Sequence, residues 1–403
     1  MAMDRTKWEY KEIAEVTTFF DDGDWIESDD QSDDGIRLVQ TGNIGNGQFV
    51  DKSERAKYIS EDTFKRLRCK EVFKGDCLIS RLPDPIGRSC VIPEMPAKMI
   101  TAVDCTILRF KDLINPYFFV YVTQSKYYKE QINKFSTGAT RKRISRKNLG
   151  TIKTPLPPII VQQLIVTELD KINELIALKQ NQLIDLDSLA QSLFYEMFGD
   201  PVVNEKGWSV TQLGDVCEVS SFKRVLIEDV VDNGIPFIRG TELMALSRCA
   251  YGESIDFTLF ITPEHYERVK AISGVPKIGD LLIPSINAEG NVWILDTDEP
   301  RYYKDGRVLW VHVNEKVYSS QTLKYIMHIL LKNTYSEMAS GATFAELKLF
   351  VLRELKTILP PFSLQQSFAA KVAKIEAEKQ RVKSSLKDLE TLLASRMQYW
   401  FDN

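Results

Sequence analysis

The residues best suited to do chemistry in this 403-residue chain are cations. Gly138-Ala139-Thr140 is followed by Arg141, Lys142, Arg143, Arg146 and Lys147. Lys153 brings the positive charges between positions 138 and 155 to six, with no acid among them. Such a cluster after a helix end suits phosphate contact, and arginine can also grip a guanine edge through two donors. The alternative is a solvated basic loop. The formal net charge of −4 argues against a surface that binds nucleic acid everywhere, but not against a local basic patch. Arg81 and Arg88 flank the turn that follows Gly75-Asp76. Thr41 and Asn43 sit in a glycine-spaced loop, Thr41 to Gly47, small enough to approach a groove closely. At matching places the second half of the chain has Arg239, Thr241, Ser285, Asn287 and Asn291, and then Thr140's counterpart Thr343 and Lys348, with a thinner basic cluster.

Catalytic signatures fail by contrast. No phosphate-binding G-x-x-x-x-G-K-[ST] loop and no G-x-G-x-x-G loop occurs. Asn115-Pro116-Tyr117 lacks one proline of an amino-methyltransferase N-P-P-Y and reads better as a helix cap followed by proline. Pro83-Asp84 is followed by no E-x-K or D-x-K able to complete a magnesium site. Three histidines and six cysteines show no metal-ligand spacing, so no metal is expected, and reduced thiols fit a cytoplasmic protein. The start, Met-Ala-Met-Asp-Arg-Thr-Lys-Trp, is too polar for a signal peptide, and no apolar run approaches the roughly 20 residues that span a bilayer. Asp21 to Asp34 holds eight acids and no base; it lacks the closing Glu of a calcium loop and reads as a solvated surface loop.

The elements that must position these residues come as a tandem repeat. Trp8 to Val16 matches Trp208 to Val216, Gly75-Asp76 matches Gly279-Asp280, and from Gly87 and Gly290 onward the two copies stay in constant register. The chain therefore divides into a domain at 1–155, a long helix at 156–200, a second domain at 201–358 and a second long helix at 359–403. Within each domain, short β-branched runs such as Ile36 to Val39, Cys105 to Phe110 and Val308 to Val313 predict strands, and a helix follows that stops at Gly-Ala-Thr. The fold class is α+β. Each long helix opens Leu-Pro-Pro, passes a Gln-Gln pair (Gln162-Gln163 and Gln365-Gln366), and carries an apolar seam. In the first the seam is Ile165, Leu169, Ile172, Ile176, Leu183, Leu186 and Leu193, broken by Lys179. In the second it is Phe368, Val372, Ile375, Val382, Leu386, Leu389 and Leu393, broken by Lys379 and Arg396. One such helix cannot bury its own seam, so the two are expected to pair as an antiparallel coiled coil with pseudo-two-fold symmetry. Leu175, Leu178 and Leu189 widen the first stripe. They either pack on the protein's own domains or form a docking face for another subunit.

Two unlike domains, each closing on Gly-Ala-Thr and Leu-Pro-Pro…Gln-Gln and then a long seamed helix, resemble the specificity subunit of a type I restriction-modification system over the whole chain. The family usually carries Glu-Gln where this chain has a Gln-Gln pair, a departure expected to touch a capping interaction while sparing the pattern. The resemblance implies a non-catalytic chain whose two domains each read one half of a bipartite, asymmetric target in double-stranded DNA. It implies that the helices set the spacer and dock two methyltransferase (modification) subunits, and that restriction (motor nuclease) subunits join that core. S-adenosylmethionine, ATP and Mg would belong to those partners, with no cofactor on this chain and no membrane. Two other readings stand beside it: a coiled-coil adaptor with two protein-binding domains and no DNA, and a recognition region related to fused restriction-methylation enzymes.

Overall fold

The computed structural model describes residues 8–138, 142–248, 255–339 and 345–402. They form two compact units, one made of Met1–Leu178 with Leu386–Asn403, the other of Lys179–Ser385. The long helices, Ile159–Phe198 and Phe362–Met397, each contribute to both.

The first unit is built on two small sheets. Strands Thr17–Asp22, Cys105–Phe110, Cys77–Ser80 and Ser89–Val91 form an antiparallel sheet in that spatial order. A five-stranded sheet joins Gln31–Ser32, Lys57–Ile59, Ile36–Val39, Met99–Thr101 and Glu71–Val72, with one parallel pair, Ile36–Val39 beside Met99–Thr101. The second unit repeats the antiparallel sheet with Glu218–Ser221, Val308–His312, Leu281–Pro284 and Trp293–Ile294. It also repeats the parallel pair, with Ile235–Ile238 beside Tyr302–Tyr303. A two-stranded ladder closes each unit in matching register, Glu9 opposite Leu156 and Ser209 opposite Leu359.

Asn115 caps the helix Pro116–Gln124, its side chain accepting from the Tyr117 and Phe118 amides, as the Asn-Pro pair predicts. This helix does not run on to Gly138. Ser125 ends it and caps a second helix, Lys126–Phe135, whereas the second unit has one continuous helix, Ser320–Ala339. Gly87 and Gly290 mark the point where the sheet meets these helices. Both have positive φ, and a Cβ on Gly290 would lie 2.4 Å from the His328 carbonyl oxygen, so only glycine fits.

The long helices pair antiparallel. In the first unit Glu168 accepts from Arg396 (3.1 Å to Nη2) and from Trp400 Nε1 (3.0 Å). In the second, Lys379 reaches Asp187 at 2.6 Å, while Phe368 packs edge-on against Phe194 and Phe198. Residue numbers rise on one helix as they fall on the other. Lys379 and Arg396, which interrupt the seam in sequence, are therefore each matched by an acid on the first helix. Two such matched pairs favour this register over slipped ones, as polar groups at seam positions do. Ile165, Leu169, Ile172, Phe368, Val372 and Val382 are buried; Ile176, Leu183, Leu186, Leu193, Ile375, Leu386, Leu389 and Leu393 are half-buried. Burial is deepest where a helix also lies against a domain core, because two helices alone cannot cover an apolar stripe.

The Gln-Gln pairs divide their labour in the same way in both units. Gln162 is fully buried; its Oε1 accepts from the Asn115 amide (2.7 Å) and its Nε2 donates to the Leu113 and Pro157 carbonyls. Gln365 repeats the pattern with the Ser319 amide (3.0 Å) and the Val317 and Pro360 carbonyls. A carboxylate could accept but not donate here, so the amide is required. Gln163 and Gln366 are exposed; the departure from Glu-Gln falls on the first, buried member of each pair, whose amide makes every one of these contacts. Gln162→Leu, which strands one amide and two carbonyls, is expected to cost about 2–4 kcal/mol, whereas Gln163→Leu should stay within about 0.5 kcal/mol. Urea unfolding of both variants checks the contrast.

Candidate nucleic-acid interface

In the first unit the basic segment is held at both ends. Thr137 and Arg143 exchange backbone hydrogen bonds of 2.9 and 2.8 Å. Ile144 is fully buried and donates its amide to the Arg81 carbonyl, and Ser145 caps the short helix Arg146–Gly150. Lys142, Arg143, Arg146 and Lys147 are all exposed between these anchors. Arg143 pairs with Asp104 at 2.8 Å and Arg146 with Asp21. Lys142 and Lys147 form no ion pair among the described residues. Thr140 and Arg141 lie outside the described residues, as does Thr343 in the second half.

Two expected contact residues are placed elsewhere. Arg88 is buried and spends its donors on main-chain carbonyls: Nε on Ile44 (2.6 Å), Nη1 on Leu82 and Pro85 (3.0 Å each), Nη2 on Thr41 (2.8 Å). Arg81 is also buried, on the Val103 carbonyl and on Asp22 at 3.1 Å. With their guanidinium groups committed inside, neither can present donors to a base edge; they tie together the loops that carry the face. Asn43 is buried too, accepting from the Gln40 amide and donating to the Val50 carbonyl. Thr41 is half-buried, and its carbonyl serves Arg88.

In the second unit Ser285 and Asn287 are buried. Asn287 exchanges hydrogen bonds with the Asn291 backbone, which makes it a brace for that turn. The Asn291 side chain donates to Glu289. Arg239 is half-buried and Lys348 exposed, and each is paired with an acid: Arg239 with Glu242, to which Thr241 also donates, and Lys348 with Glu346 at 2.5 Å. Burial works to raise the Glu242 carboxyl pKa, but hydrogen bonds from Arg239, its own backbone and Thr241 outweigh it and hold the pKa at about 2. Sequence spacing missed three further cations. Arg307 pairs with Glu346 at 3.2 Å, beside Lys348. Arg224 and Lys304 line a cleft of about 460 Å³ together with Arg239. The Lys304-Asp-Gly-Arg307 turn between two strands was the available signal. Contacts scattered over a hundred residues leave no such cluster in the sequence itself.

Other reactive groups are engaged structurally. His312 and His265 lie 2.8 and 3.2 Å from Asp280 and Asp229, and His328 bonds the Gly290 carbonyl at 2.9 Å. Burial pushes the Cys69 thiol up to about 11 and those of Cys90 and Cys105 up to about 12, far from thiolate reactivity. Among the described residues no three His, Cys, Asp or Glu side chains gather as metal ligands, and no helix is long and apolar enough to cross a membrane.

Residues 5–187 match the protein family described as Type I restriction modification DNA specificity domain. Over those residues, somewhat less than half of its length, the chain is similar to type I restriction-modification specificity domains. A Haemophilus influenzae protein named as a type I restriction enzyme specificity subunit is 27% identical over 248 residues, 60% of each chain. The MjaIX specificity subunit of Methanocaldococcus jannaschii is 26% identical over 52% of this chain and 51% of its own. The chain thus spans between half and three fifths of the length of these relatives. The fold is shared over 98% of this chain with a chain from a study of complex assembly in the type I R-M system (TM-score 0.61, 17% identity). It is shared equally with the S subunit from M. genitalium (TM-score 0.54, 16% identity).

Proposed function

We propose that this chain is the DNA-reading subunit of a type I restriction-modification complex and performs no catalysis itself. Each unit reads one half of a split, asymmetric site in double-stranded DNA. The paired helices set the spacer and dock two methyltransferase subunits, with restriction subunits joining them in the cytoplasm. S-adenosylmethionine, ATP and Mg act on those partners. The observation that carries this reading is one frame built twice with different side chains on its open face. One copy presents Lys142, Arg143, Arg146 and Lys147; the other presents Arg307 and Lys348, with Arg239 half-buried. Equivalent scaffolds with unlike cations are suited to bind phosphates in one pose while meeting different bases. The likeness of residues 5–187 to the type I DNA specificity domain supports the assignment.

The test is co-expression with a methyltransferase subunit and mapping of methylated adenines. A bipartite motif that appears only when this chain is present is the expected result, and scattered or absent methylation overturns the reading. Arg146→Glu should abolish the motif and lower the salt dependence of DNA binding by about one unit of slope or more, with melting unchanged.

A further inference from the structure

The acidic stretch that begins at Asp21 is not simply solvated. Asp21 and Asp22 end the strand Thr17–Asp22, and Asp21 receives Arg146. Asp104, in the turn before the strand Cys105–Phe110, receives Arg143 at 2.8 Å. These are two of the four exposed cations of the segment. The second unit repeats the arrangement with different residues: Glu346 takes both Arg307 (3.2 Å) and Lys348 (2.5 Å). The acids come from unrelated sequence positions, yet in both units they fall on the cations that face outward. An ion pair that must be broken before a phosphate can be bound subtracts its own strength from every complex, cognate or not. A cognate complex regains that loss through base contacts; a non-cognate one does not.

We propose that Asp21 and Asp104 in the first unit, and Glu346 in the second, are built-in competitors for phosphate that suppress non-specific DNA binding and so sharpen target selection. The inference rests on the DNA-reading function proposed above. On binding, the arginines exchange a carboxylate for a phosphate, and each released carboxylate gathers a cation from solution. That uptake offsets part of the counterion release that drives association. Isolated surface pairs of this kind add little to stability, so removing the acid should alter binding more than folding.

The experiment measures affinity of the full chain for a fluorescein-labelled 30-base-pair duplex of scrambled sequence across salt. Asp21→Asn combined with Asp104→Asn is expected to bind about 3–10-fold tighter at low salt and to show a steeper salt slope. The control is Asp29→Asn combined with Asp33→Asn. It removes the same charge from exposed acids of the same stretch that form no ion pair among the described residues, and it should move affinity less than half as far on a logarithmic scale. Equal gains in both variants would mean bulk charge alone acts, and would overturn the proposal, as would unchanged or weaker binding. Should the double variant fail to fold, Glu346→Gln carries the same expectation in the second unit. If the unaltered chain binds no duplex at any salt, the DNA-reading function itself falls. If it binds and the variants match it, only the competitor role falls.

Discussion

Replacing Phe368 by alanine is expected to destabilise the second unit by about 3–5 kcal/mol. The ring is fully buried, with Phe194, Phe198 and Tyr325 at centroid distances of 5.7, 5.3 and 5.2 Å in edge-on arrangements. Truncation removes the transfer free energy of the ring and three favourable aromatic geometries, and it leaves a cavity lined by rings that cannot collapse without leaving their rotamers. Phe368 also joins the second helix, the end of the first helix and the helix Ser320–Ala339 in one cluster. Losing it therefore loosens the antiparallel seam as well as the domain core. For a unit of this size the loss corresponds to roughly 6–20 °C in the melting temperature. Phe350→Ala is the control: that ring is 61% exposed, and its loss should stay within about 0.5 kcal/mol. A calorimetric shift below about 2 °C for Phe368→Ala would show that the aromatic cluster does not govern the unit.

The repeat, the strands and the helix pairing were legible because each has a local signature: matched motifs, period-two runs between turns, and a 4-3 apolar spacing. Legibility failed where a residue's role depends on contacts distant in sequence. Leu193 and Met197 continue the seam arithmetically, but Phe194 and Phe198 are the fully buried pair. An α-helix drifts by about 20° per heptad against a strict 3.5-residue repeat, so by its last turn a different face meets the core. Gln162 and Gln163 look alike in sequence. Only the first meets the Leu113 and Asn115 backbone, about fifty residues away in the chain. The acidic stretch at Asp21 read as solvated because its partners lie at positions 70, 81 and 146. Arg81 and Arg88 lie inside although arginine is seldom buried; the carbonyls that receive Arg88 come from Thr41, Ile44, Leu82 and Pro85, a site that exists only after folding.

Arg88→Ala should accordingly abolish DNA binding by a route opposite to that of Arg146→Glu. The Arg88 guanidinium serves four carbonyl oxygens at 2.6–3.0 Å. It joins the loop at Thr41 to Ile44 to the turn at Leu82 to Pro85. Truncation leaves these acceptors without donors in a site too buried for full hydration. Hydrogen bonds from a charged donor contribute about 1.5–3 kcal/mol each when intact, with partial compensation as water enters; a total loss of about 3–4 kcal/mol is expected. Lysine cannot rescue it, because its three donors on one nitrogen cannot reproduce a planar fork reaching two loops. Binding and stability should therefore fall together in Arg88→Ala and Arg88→Lys, and thermal unfolding beside DNA titration separates the cases. Arg146→Glu loses affinity at constant melting temperature because its guanidinium faces water and Asp21. An Arg88→Ala chain that melts normally yet fails to bind DNA would place Arg88 back on the recognition face and require its side chain to swing outward from these four carbonyls.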